Sequence, residues 1–325
     1  MFVPVWSRLA EAGVLGINRR NAEFMLAYNP RRLYPLVDDK WRTKQLAQAA
    51  GIAVPDLYAM VEIEAQVRHI HDSLAPYHDF VVKPAQGSGG DGIVVISGRS
   101  HNAYRKVNGA LMGRDELEHH VANILSGMYS LGGRRDKAII EYRVKFDPVF
   151  DRISYQGVPD IRIIVFLGVP VMSMVRLPTR ASDGKANLHQ GAIGAGIDIA
   201  TGATLRAVWG NDIIDEHPDT GASVTDVVIP NWERLLLLAA RCHELSGLGY
   251  QGVDIVLDKD KGPLILELNA RPGLNIQIAN RAGLMPRLRA VEARAASLGT
   301  PEQRVEFARR HFLHPALEAA VAAPG

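Results

Sequence analysis

A lysine and a cluster of glycines form the strongest chemical signal in the sequence. Lys83 closes a β-branched run, and four of the six residues from 87 to 92 are glycine. Glycine lets backbone N–H groups approach an anion closely, and a nearby lysine adds a positive charge suited to phosphate. We therefore predict a phosphate-binding loop made of Lys83, Gln86, Gly87, Ser88, Gly89, Gly90 and Gly92.

The alternative for this stretch is a glycine-rich hairpin turn whose lysine extends into solvent. A two-residue turn needs only one or two glycines, so the density of glycine favours the phosphate loop. A Walker A loop is excluded, because no Gly-Lys-Ser/Thr sequence enters a helix here.

A second candidate site consists of two carboxylates inside apolar runs. Asp254 and Glu267 each interrupt such a run, where an unpaired carboxylate would be costly. Asn269 follows Glu267 by two positions, so their side chains share one strand face. Oxygen ligands of this kind suit Mg²⁺, which predicts a magnesium site at Asp254, Glu267 and Asn269. The alternative is that the carboxylates form structural pairs with Arg271 and Arg287.

Weaker signals lie between these two stretches. Asp160 and Arg162 are two positions apart in a β-branched run, so they share a face. They form either part of a site or a surface cross-strand pair. Lys185 and Asn187 lie beyond that run, and Glu141 ends a short one; none of them is specific by itself.

Three features carry no predicted chemistry. Residues 191–196 superficially resemble a dinucleotide-binding fingerprint, but the glycine order is wrong, and we interpret them as loop glycines. The eleven histidines lack metal-ligand spacing. Cys242 has apolar helical neighbours, which predicts a buried and inert thiol.

The elements that position these residues are mostly strands joined by short turns. The β-branched runs predict single strands and two hairpins, at residues 80–84, 92–97, 138–144, 160–167 with 171–177, and 251–257 with 263–268. Helical spacing and capping residues predict helices at residues 18–28, 40–50, 61–74, 232–245 and from 275 to 320. Because hairpins outnumber βαβ crossovers, the pattern predicts an α+β fold with antiparallel sheets rather than a doubly wound one.

Composition limits the classes of protein. The chain has 325 residues, 47% hydrophobic and 22% charged, which is typical of a globular protein. Its 37 Lys and Arg residues nearly balance 35 Asp and Glu residues, so no basic field indicates nucleic-acid binding. One cysteine excludes a disulfide framework. With no apolar run long enough to span a membrane and no signal-peptide pattern, we predict a cytoplasmic protein.

Taken together, the stretches resemble the ATP-grasp superfamily, and within it the RimK-type α-L-glutamate ligases. The resemblance covers about residues 38–280 and rests on short motifs in the family's order: Val81-Val82-Lys83-Pro84 with 86–92, 140–142, 160–165, 187–191, 252–254 and 266–274. It implies an α+β ATP-grasp fold in which two subdomains clamp the nucleotide. The implied divisions are a short helical N-terminal region (1–36), a small lid subdomain (37–145) and a large subdomain with the metal site (146–325).

The resemblance also implies roles for individual residues. Lys44 and Lys83 would contact phosphates, and the backbone at Glu141 and Tyr142 would contact adenine. Asp160 and Asn187 would contact the nucleotide, and Asp254, Glu267 and Asn269 would bind magnesium. Lys185 stands where RimK-type sequences carry arginine. Of the nearby basic residues, we expect at least one to orient the substrate carboxylate, and these candidates are Arg162, Lys185 and Arg271.

The activity implied is ATP- and Mg²⁺-dependent joining of a carboxylate to an amine through an acylphosphate, with Mn²⁺ as a substitute ion. Glutamate is one candidate carboxylate, and the partners would be small-molecule or peptide substrates rather than nucleic acid or membrane. A homo-oligomer stays open. Two alternatives also stay open: a nucleotide-binding subunit without catalysis, and a phosphotransferase that uses the same ATP site.

Overall fold

The computed structural model describes residues 5–87, 89–130 and 132–314. It divides into two compact units, Asp38–Lys145 and Met1–Val37 with Phe146–Gly325, called here the small and the large unit. Among the described helices, none is both long enough and apolar enough to cross a membrane. Ser88 and the part of the predicted C-terminal helical region beyond residue 314 lie outside the described residues.

The small unit is built on a six-stranded antiparallel sheet. Its strands are β1 (Leu57–Val61), β2 (Phe80–Pro84), β3 (Val94–Ser100), β4 (Ala103–Lys106), β5 (Leu111–Gly113) and β6 (Ala138–Glu141). Their order in the sheet is β1-β6-β2-β3-β4-β5. The helices of this unit are Lys40–Ala49, Glu64–Val67, Ile70–Leu74 and Arg114–Leu125.

Side chains that alternate between the two faces of the sheet separate the core of the small unit from its polar groups. Val82 of β2 lies opposite Ile140 of β6, and both are fully buried in the hydrophobic core. Leu117, Val121 and Ile124 of the Arg114–Leu125 helix pack into the same core at helical spacing. Since neighbouring strand residues point to opposite faces, Lys83 projects away from this core.

The helix predicted over residues 61–74 is wrong in part. Residues Leu57–Val61 form an edge strand paired with β6, and two short helices follow it. The apolar residues Val67, Ile70 and Leu74 do keep helical spacing and are buried. Tertiary pairing therefore overrides the helical pattern at its start, where Val61 is buried as the last residue of a strand.

The large unit contains a seven-stranded antiparallel sheet. Its strands are β7 (Asp160–Phe166), β8 (Val169–Leu177), β9 (Ile193–Ile197), β10 (Thr204–Trp209), β11 (Asp212–Ile214), β12 (Tyr250–Asp258) and β13 (Gly262–Asn269). Their order is β11-β10-β9-β8-β7-β12-β13. Its α-helices are Val5–Glu11, Ile17–Arg19, Leu26–Tyr28, Tyr34–Asp38, Trp232–Ser246, Ile276–Asn280, Met285–Glu292 and Pro301–His311. A π-helix, Arg20–Met25, and 3₁₀ turns Arg31–Leu33, Pro148–Phe150, Leu188–Gln190 and Ala295–Ser297 complete it.

Both predicted hairpins are present and set the register of the central strands. The β7–β8 hairpin turns at Leu167 and Gly168, with φ of 48° and 79°. Two successive positive φ values match the right-handed twist of the paired strands. The β12–β13 hairpin places Asp254 directly opposite Glu267, and β12 also pairs with β7. Four strands from two distant parts of the chain are thereby brought side by side.

Within the large unit, side-chain amides join the N-terminal residues to later parts of the chain. Asn29 donates to the Tyr250 carbonyl at 2.7 Å and accepts from the Tyr250 N–H at 2.8 Å, as a neighbouring strand would. Gln277 makes the same reciprocal pair with the backbone of Leu15, at 2.8 and 3.0 Å. All four residues are buried or nearly so, and these bonds satisfy backbone groups that solvent cannot reach.

The interpretation of residues 191–196 as loop glycines is right for Gly191, which ends the Leu188–Gln190 turn with a φ of 99°, and wrong for Gly194 and Gly196. Ile193–Ile197 forms the buried strand β9. A Cβ at Gly196 would lie 2.8 Å from the Ala279 carbonyl oxygen and 3.0 Å from the Asn280 Cα, so glycine lets the Ile276–Asn280 helix approach the strand. The glycines therefore serve close packing of a helix on a strand, a requirement that the sequence pattern does not display.

Candidate functional site

A row of charged side chains crosses four strands of the large sheet. Arg176 of β8 lies opposite Asp160 of β7, and Arg162 of β7 lies opposite Asp254 of β12. Arg176 donates through Nε and Nη2 to the two oxygens of Asp160, at 2.5 and 2.6 Å. Arg162 donates in the same way to Asp254, at 2.7 and 2.5 Å. Both guanidinium–carboxylate pairs are bidentate and largely removed from solvent.

The row continues onto β13 with the predicted magnesium ligands. Asn269 donates through Nδ2 to Asp254 Oδ2 at 3.3 Å and to Glu267 Oε1 at 3.2 Å. Two carboxylates and an amide oxygen, on paired strands, are a donor set that fits Mg²⁺. Among the described residues, no three His, Cys, Asp or Glu side chains cluster as a metal site. A magnesium centre here therefore depends on Asn269 turning its amide oxygen toward the carboxylates.

Burial and the arginines act in opposite directions on the two aspartates. Burial alone would raise the pKa of Asp254, but Arg162 and Arg176 outweigh it and lower that pKa to about 2. Burial raises the pKa of Asp160 to about 6, because the single pair with Arg176 does not compensate and the charge of Asp254 adds to the effect. Asp254 is thus kept ionised, as a metal ligand requires.

Asp254 pairs with Arg162 and Arg176 rather than with Arg271 or Arg287, the two arginines expected as structural partners. Arg287 donates to the Val171 carbonyl at 2.7 Å, and the Arg271 guanidinium lies 5.0 Å from the centre of the Tyr34 ring. Arg162 lies on β7, which pairs directly with the strand of Asp254, β12, and Arg176 reaches Asp254 from β8 on the far side of β7. Spacing along the sequence could not reveal this, since the partners are 92 and 78 residues away.

Lys185 and Asn187 lie in the loop that follows β8. Lys185 is exposed, and its backbone N–H closes a turn with Ser182. Asn187 accepts from the His189 N–H at 3.0 Å and so caps the Leu188–Gln190 turn. Arg271 is also exposed. Lys185 and Arg271 are therefore open to solvent, whereas Arg162 is held by Asp254.

In the small unit, both predicted phosphate-contacting lysines converge on Glu141. Lys44 donates to Glu141 Oε2 at 2.7 Å and also to the Pro55 carbonyl. Lys83 forms an ion pair with Glu141 Oε1. The side chains of all three are at least nine-tenths buried, so the alternative of a solvent-extended Lys83 is wrong. The cluster carries one net positive charge on the face of the sheet opposite the core.

The electrostatics of this cluster show how closely the charges depend on each other. Burial lowers the pKa of Lys44, and the charge of Lys83 adds to the lowering while Glu141 opposes it. Burial would raise the pKa of Glu141, but Lys83 and Lys44 outweigh it and bring that pKa below its usual value. Two buried cations are thus stabilised by one shared anion.

The glycine-rich loop joins β2 to β3 and is held at both ends. At its start, Lys40 donates to the Gly87 carbonyl at 2.6 Å and Asp136 accepts from the Gln86 N–H at 2.9 Å. At its end, His120 Nε2 lies 2.9 Å from the Gly92 carbonyl oxygen. Burial lowers the pKa of His120, so a neutral ring with its proton on Nε2 fits this contact.

Glycine is required at two positions of this loop for different reasons. A Cβ at Gly87 would lie 2.2 Å from Pro84 Cγ. Gly92 has a φ of 74°, and a Cβ there would lie 2.5 Å from the Tyr129 ring. Gly89 and Gly90 also have positive φ, at 70° and 86°. A side chain would therefore clash at Gly87 and at Gly92, and the positive φ values favour glycine at positions 89, 90 and 92.

The segment implied to contact adenine lies at the end of β6. The Tyr142 N–H donates to the Asp56 carbonyl at 2.8 Å, and the Lys145 ammonium is 5.9 Å from the Tyr142 ring centre. The Glu141 side chain is engaged by the two lysines. That N–H is therefore already satisfied within the small unit.

Sequence reasoning missed Arg176 and the ion pairs of the Glu141 side chain. Arg176 bridges Asp160 and Asp254, and the Glu141 side chain pairs with both lysines. Arg176 lies inside an otherwise apolar strand, as Asp254 does, and Glu141 ends another. The criterion of a charge inside a buried strand would have found Arg176.

The chain is 22% identical over 240 residues to a D-alanine–D-alanine ligase of Nitrosomonas eutropha, covering 74% of this chain and 58% of that protein. The chain therefore spans little more than half the length of this relative.

Solved structures with similarity include an ATP-grasp ligase, PsnB, complexed with its minimal precursor. It shows 15% identity and a TM-score of 0.44, over 83% of this chain and 63% of that one. The D-cycloserine synthetase DcsG shows 19% identity and a TM-score of 0.45, over 83% and 73%. The D-alanine–D-alanine ligase of Bacillus anthracis shows 16% identity and a TM-score of 0.41, over 88% and 70%.

A sequence model of the family described as sugar-transfer associated ATP-grasp matches residues 19–293. This match covers most of the chain and confirms the ATP-grasp fold predicted from the motifs. The narrower resemblance to RimK-type ligases is not confirmed. The chain belongs to the sugar-transfer associated ATP-grasp family.

Proposed function

We propose that this protein is an ATP- and Mg²⁺-dependent ligase that joins a carboxylate to an amine through an acylphosphate. The observation that carries the proposal is the meeting of Asp254, Glu267 and Asn269 on one face of the large sheet. In a member of an ATP-grasp family, this oxygen-rich group is suited to the metal that accompanies a triphosphate. Similarity to a D-alanine–D-alanine ligase supports a ligase reaction.

The residues of the small unit are suited to holding phosphates. Lys44 and Lys83 carry one charge more than Glu141 neutralises, which leaves a positive centre in a desolvated setting. The glycine loop adds backbone N–H groups. Phosphoryl transfer depends on positioning and on charge at the phosphate oxygens, and it needs no protein nucleophile.

In the large unit, Asp254, Glu267 and Asn269 would hold Mg²⁺, which would neutralise charge developing on the transferred group. Arg162 keeps Asp254 ionised and fixes its orientation. Lys185 and Arg271 are exposed, so they are the stronger candidates for orienting the substrate carboxylate, with Arg271 favoured by its planar fork.

The proposed reaction has two steps. A carboxylate oxygen of the substrate attacks the γ-phosphorus, the bond to the β–γ bridging oxygen breaks, and ADP leaves. The amine then attacks the acyl carbon, phosphate leaves with both electrons of the C–O bond, and the amine loses a proton. Glutamate is one candidate carboxylate, and a peptide or small molecule would supply the amine.

The test is an ADP-release screen with ATP, Mg²⁺ and a panel of carboxylates that includes L-glutamate, with and without hydroxylamine. Hydroxamate formed with ADP would trap the acylphosphate and support the proposal. ADP with a phosphorylated hydroxyl product would indicate a phosphotransferase instead. ATP binding with no ADP release across the panel would indicate a binding subunit. Lys83→Met is the matched control, and we expect it to abolish any genuine signal.

A further inference from the structure

Arg176 occupies a position shared by two carboxylates. Its Nε and Nη2 donate to Asp160, and Nη2 also donates to Asp254 Oδ2 at 2.9 Å. Its side chain is 14% exposed, and burial alone would weaken its charge, yet the surrounding carboxylates raise its pKa. Arg176 is therefore a permanent cation next to the candidate metal ligands.

The Asp254 oxygen that Arg176 contacts, Oδ2, accepts hydrogen bonds from three side chains. Asp254 Oδ2 also accepts from Arg162 Nη2 at 2.5 Å and from Asn269 Nδ2 at 3.3 Å. Asn269 Nδ2 in turn reaches Glu267. Oδ2 is thus the Asp254 oxygen on the side of the other two candidate ligands, and three N–H donors surround it. A divalent cation that binds this oxygen has to displace at least one of them.

The three donors differ in the hydrogen bonds that each would break on releasing Asp254 Oδ2. Arg162 makes both of its bonds to Asp254, so withdrawing it would break a bidentate buried pair. Asn269 can rotate its amide and offer its oxygen to a cation. Arg176 has one bond to Asp254 and two to Asp160, so it can release Asp254 and keep a complete bidentate pair.

We infer that Arg176 is a positioning residue. It binds the Asp254 carboxylate in the absence of a divalent cation and releases it when the cation binds. The inference rests on the proposed function only in taking Asp254, Glu267 and Asn269 as a divalent-cation site. Arg176 helps Asp254 to stay buried and ionised without metal, and it lowers the affinity for the cation because it competes for the same oxygen.

The test measures Mn²⁺ alone, without nucleotide, by the electron paramagnetic resonance signal of the free ion. We expect Arg176→Gln to tighten Mn²⁺ binding about fivefold, the effect of removing one unit charge close to the cation. Arg176→Lys keeps the charge and should stay near the wild-type affinity. The matched control is Arg206→Gln, since Arg206 makes the same bidentate pair with Asp215, at 2.5 and 2.7 Å, on the exposed part of the sheet.

A second variant keeps the test decisive if Arg176→Gln fails to fold. Asp160→Asn combined with Arg176→Gln removes the buried pair without changing the net charge, and it should also tighten Mn²⁺ binding because the competitor for Asp254 is gone. Unchanged or weaker Mn²⁺ binding in the folded variants, including no binding by any of them, would overturn the inference. Tighter binding in a protein that releases no ADP would support the inference and contradict the ligase proposal.

Discussion

Arg162 and Asp254 face each other across β7 and β12, and each uses two atoms to bind the other. The guanidinium Nε and Nη2 lie 2.7 and 2.5 Å from the two carboxylate oxygens. The Asp254 side chain is 2% exposed, so solvent cannot replace either bond. Asp254 is therefore positioned by a charge partner before any ligand arrives.

Removing Arg162 should destabilise the fold more than removing a similar surface arginine. Arg162→Met leaves the buried Asp254 carboxylate with two of its four hydrogen bonds, and we expect a loss of about 3 kcal/mol in the free energy of unfolding. Arg206→Met breaks an exposed pair and should cost less than about 1 kcal/mol. Urea denaturation of both variants measures the difference, and equal losses would contradict a positioning role for Arg162.

Because Glu141 pairs with two buried lysines, its contribution to the free energy of unfolding should depend on pH. Its pKa lies below the usual value in the folded protein, so its stabilisation is complete above about pH 4.5 and declines as the pH falls through the folded pKa. Glu141→Gln leaves Lys44 and Lys83 buried without their shared counter-ion. We expect the free energy of unfolding to fall by about 3 kcal/mol at pH 7, and the difference from the wild type to become smaller at acidic pH.

Denaturation of Glu141→Gln between pH 3 and pH 7 checks this expectation. Glu62→Gln is the control, because Glu62 pairs with Lys137 on the surface of the same unit. A loss for Glu141→Gln that stays constant across this range would argue that the charge of Glu141 does not stabilise the lysines.

Gly92 should tolerate alanine less well than a glycine with similar backbone geometry. Gly92 and Gly109 have φ of 74° and 85°, so a side chain strains the backbone at both. Only at Gly92 would the new Cβ also meet the Tyr129 ring. We expect Gly92→Ala to cost about 2 kcal/mol more than Gly109→Ala. Thermal denaturation of the two variants decides, and a difference near zero would mean that Tyr129 moves freely.

Arg271 tests how the substrate is recognised. Arg271→Lys keeps the charge over Tyr34 but loses the bidentate fork, so we expect the KM for the carboxylate substrate to rise about tenfold. The melting temperature should change little, since lysine keeps the positive charge of this exposed side chain. Arg206→Lys is the control for a general effect of the substitution. An unchanged KM would assign Arg271 a structural role on Tyr34.

Much of the site could be predicted because its residues violate the local pattern. Asp254 and Glu267 are charges in apolar strands, and four glycines stand among residues 87–92, so both stretches were visible in the sequence. The hairpins were equally visible, because apolar runs flank short turns. The helix predicted over residues 40–50 is present as Lys40–Ala49, and Asp39 caps its start by accepting from the Trp41 and Arg42 N–H groups.

The parts that escaped prediction depend on strand order. Arg176 contacts Asp254 because β7 lies between β8 and β12, and no sequence pattern encodes that neighbourhood. The glycines of β9 predict a loop by sequence alone, because the close approach of the Ile276–Asn280 helix, which requires them, is visible only in the structure. Short edge strands such as β1 and β5 carry too few residues for a period to be recognised.

The most direct test of the account is Glu267→Gln, with melting temperature and ADP release measured on the same sample. If Glu267 is a metal ligand, the loss of its charge should abolish ADP formation even at high Mg²⁺. The melting temperature should stay close to that of the wild type, and Glu306→Gln, a surface control paired with Arg310, should keep full activity. A Glu267→Gln protein that is destabilised but releases ADP at the wild-type rate per folded molecule would contradict the account.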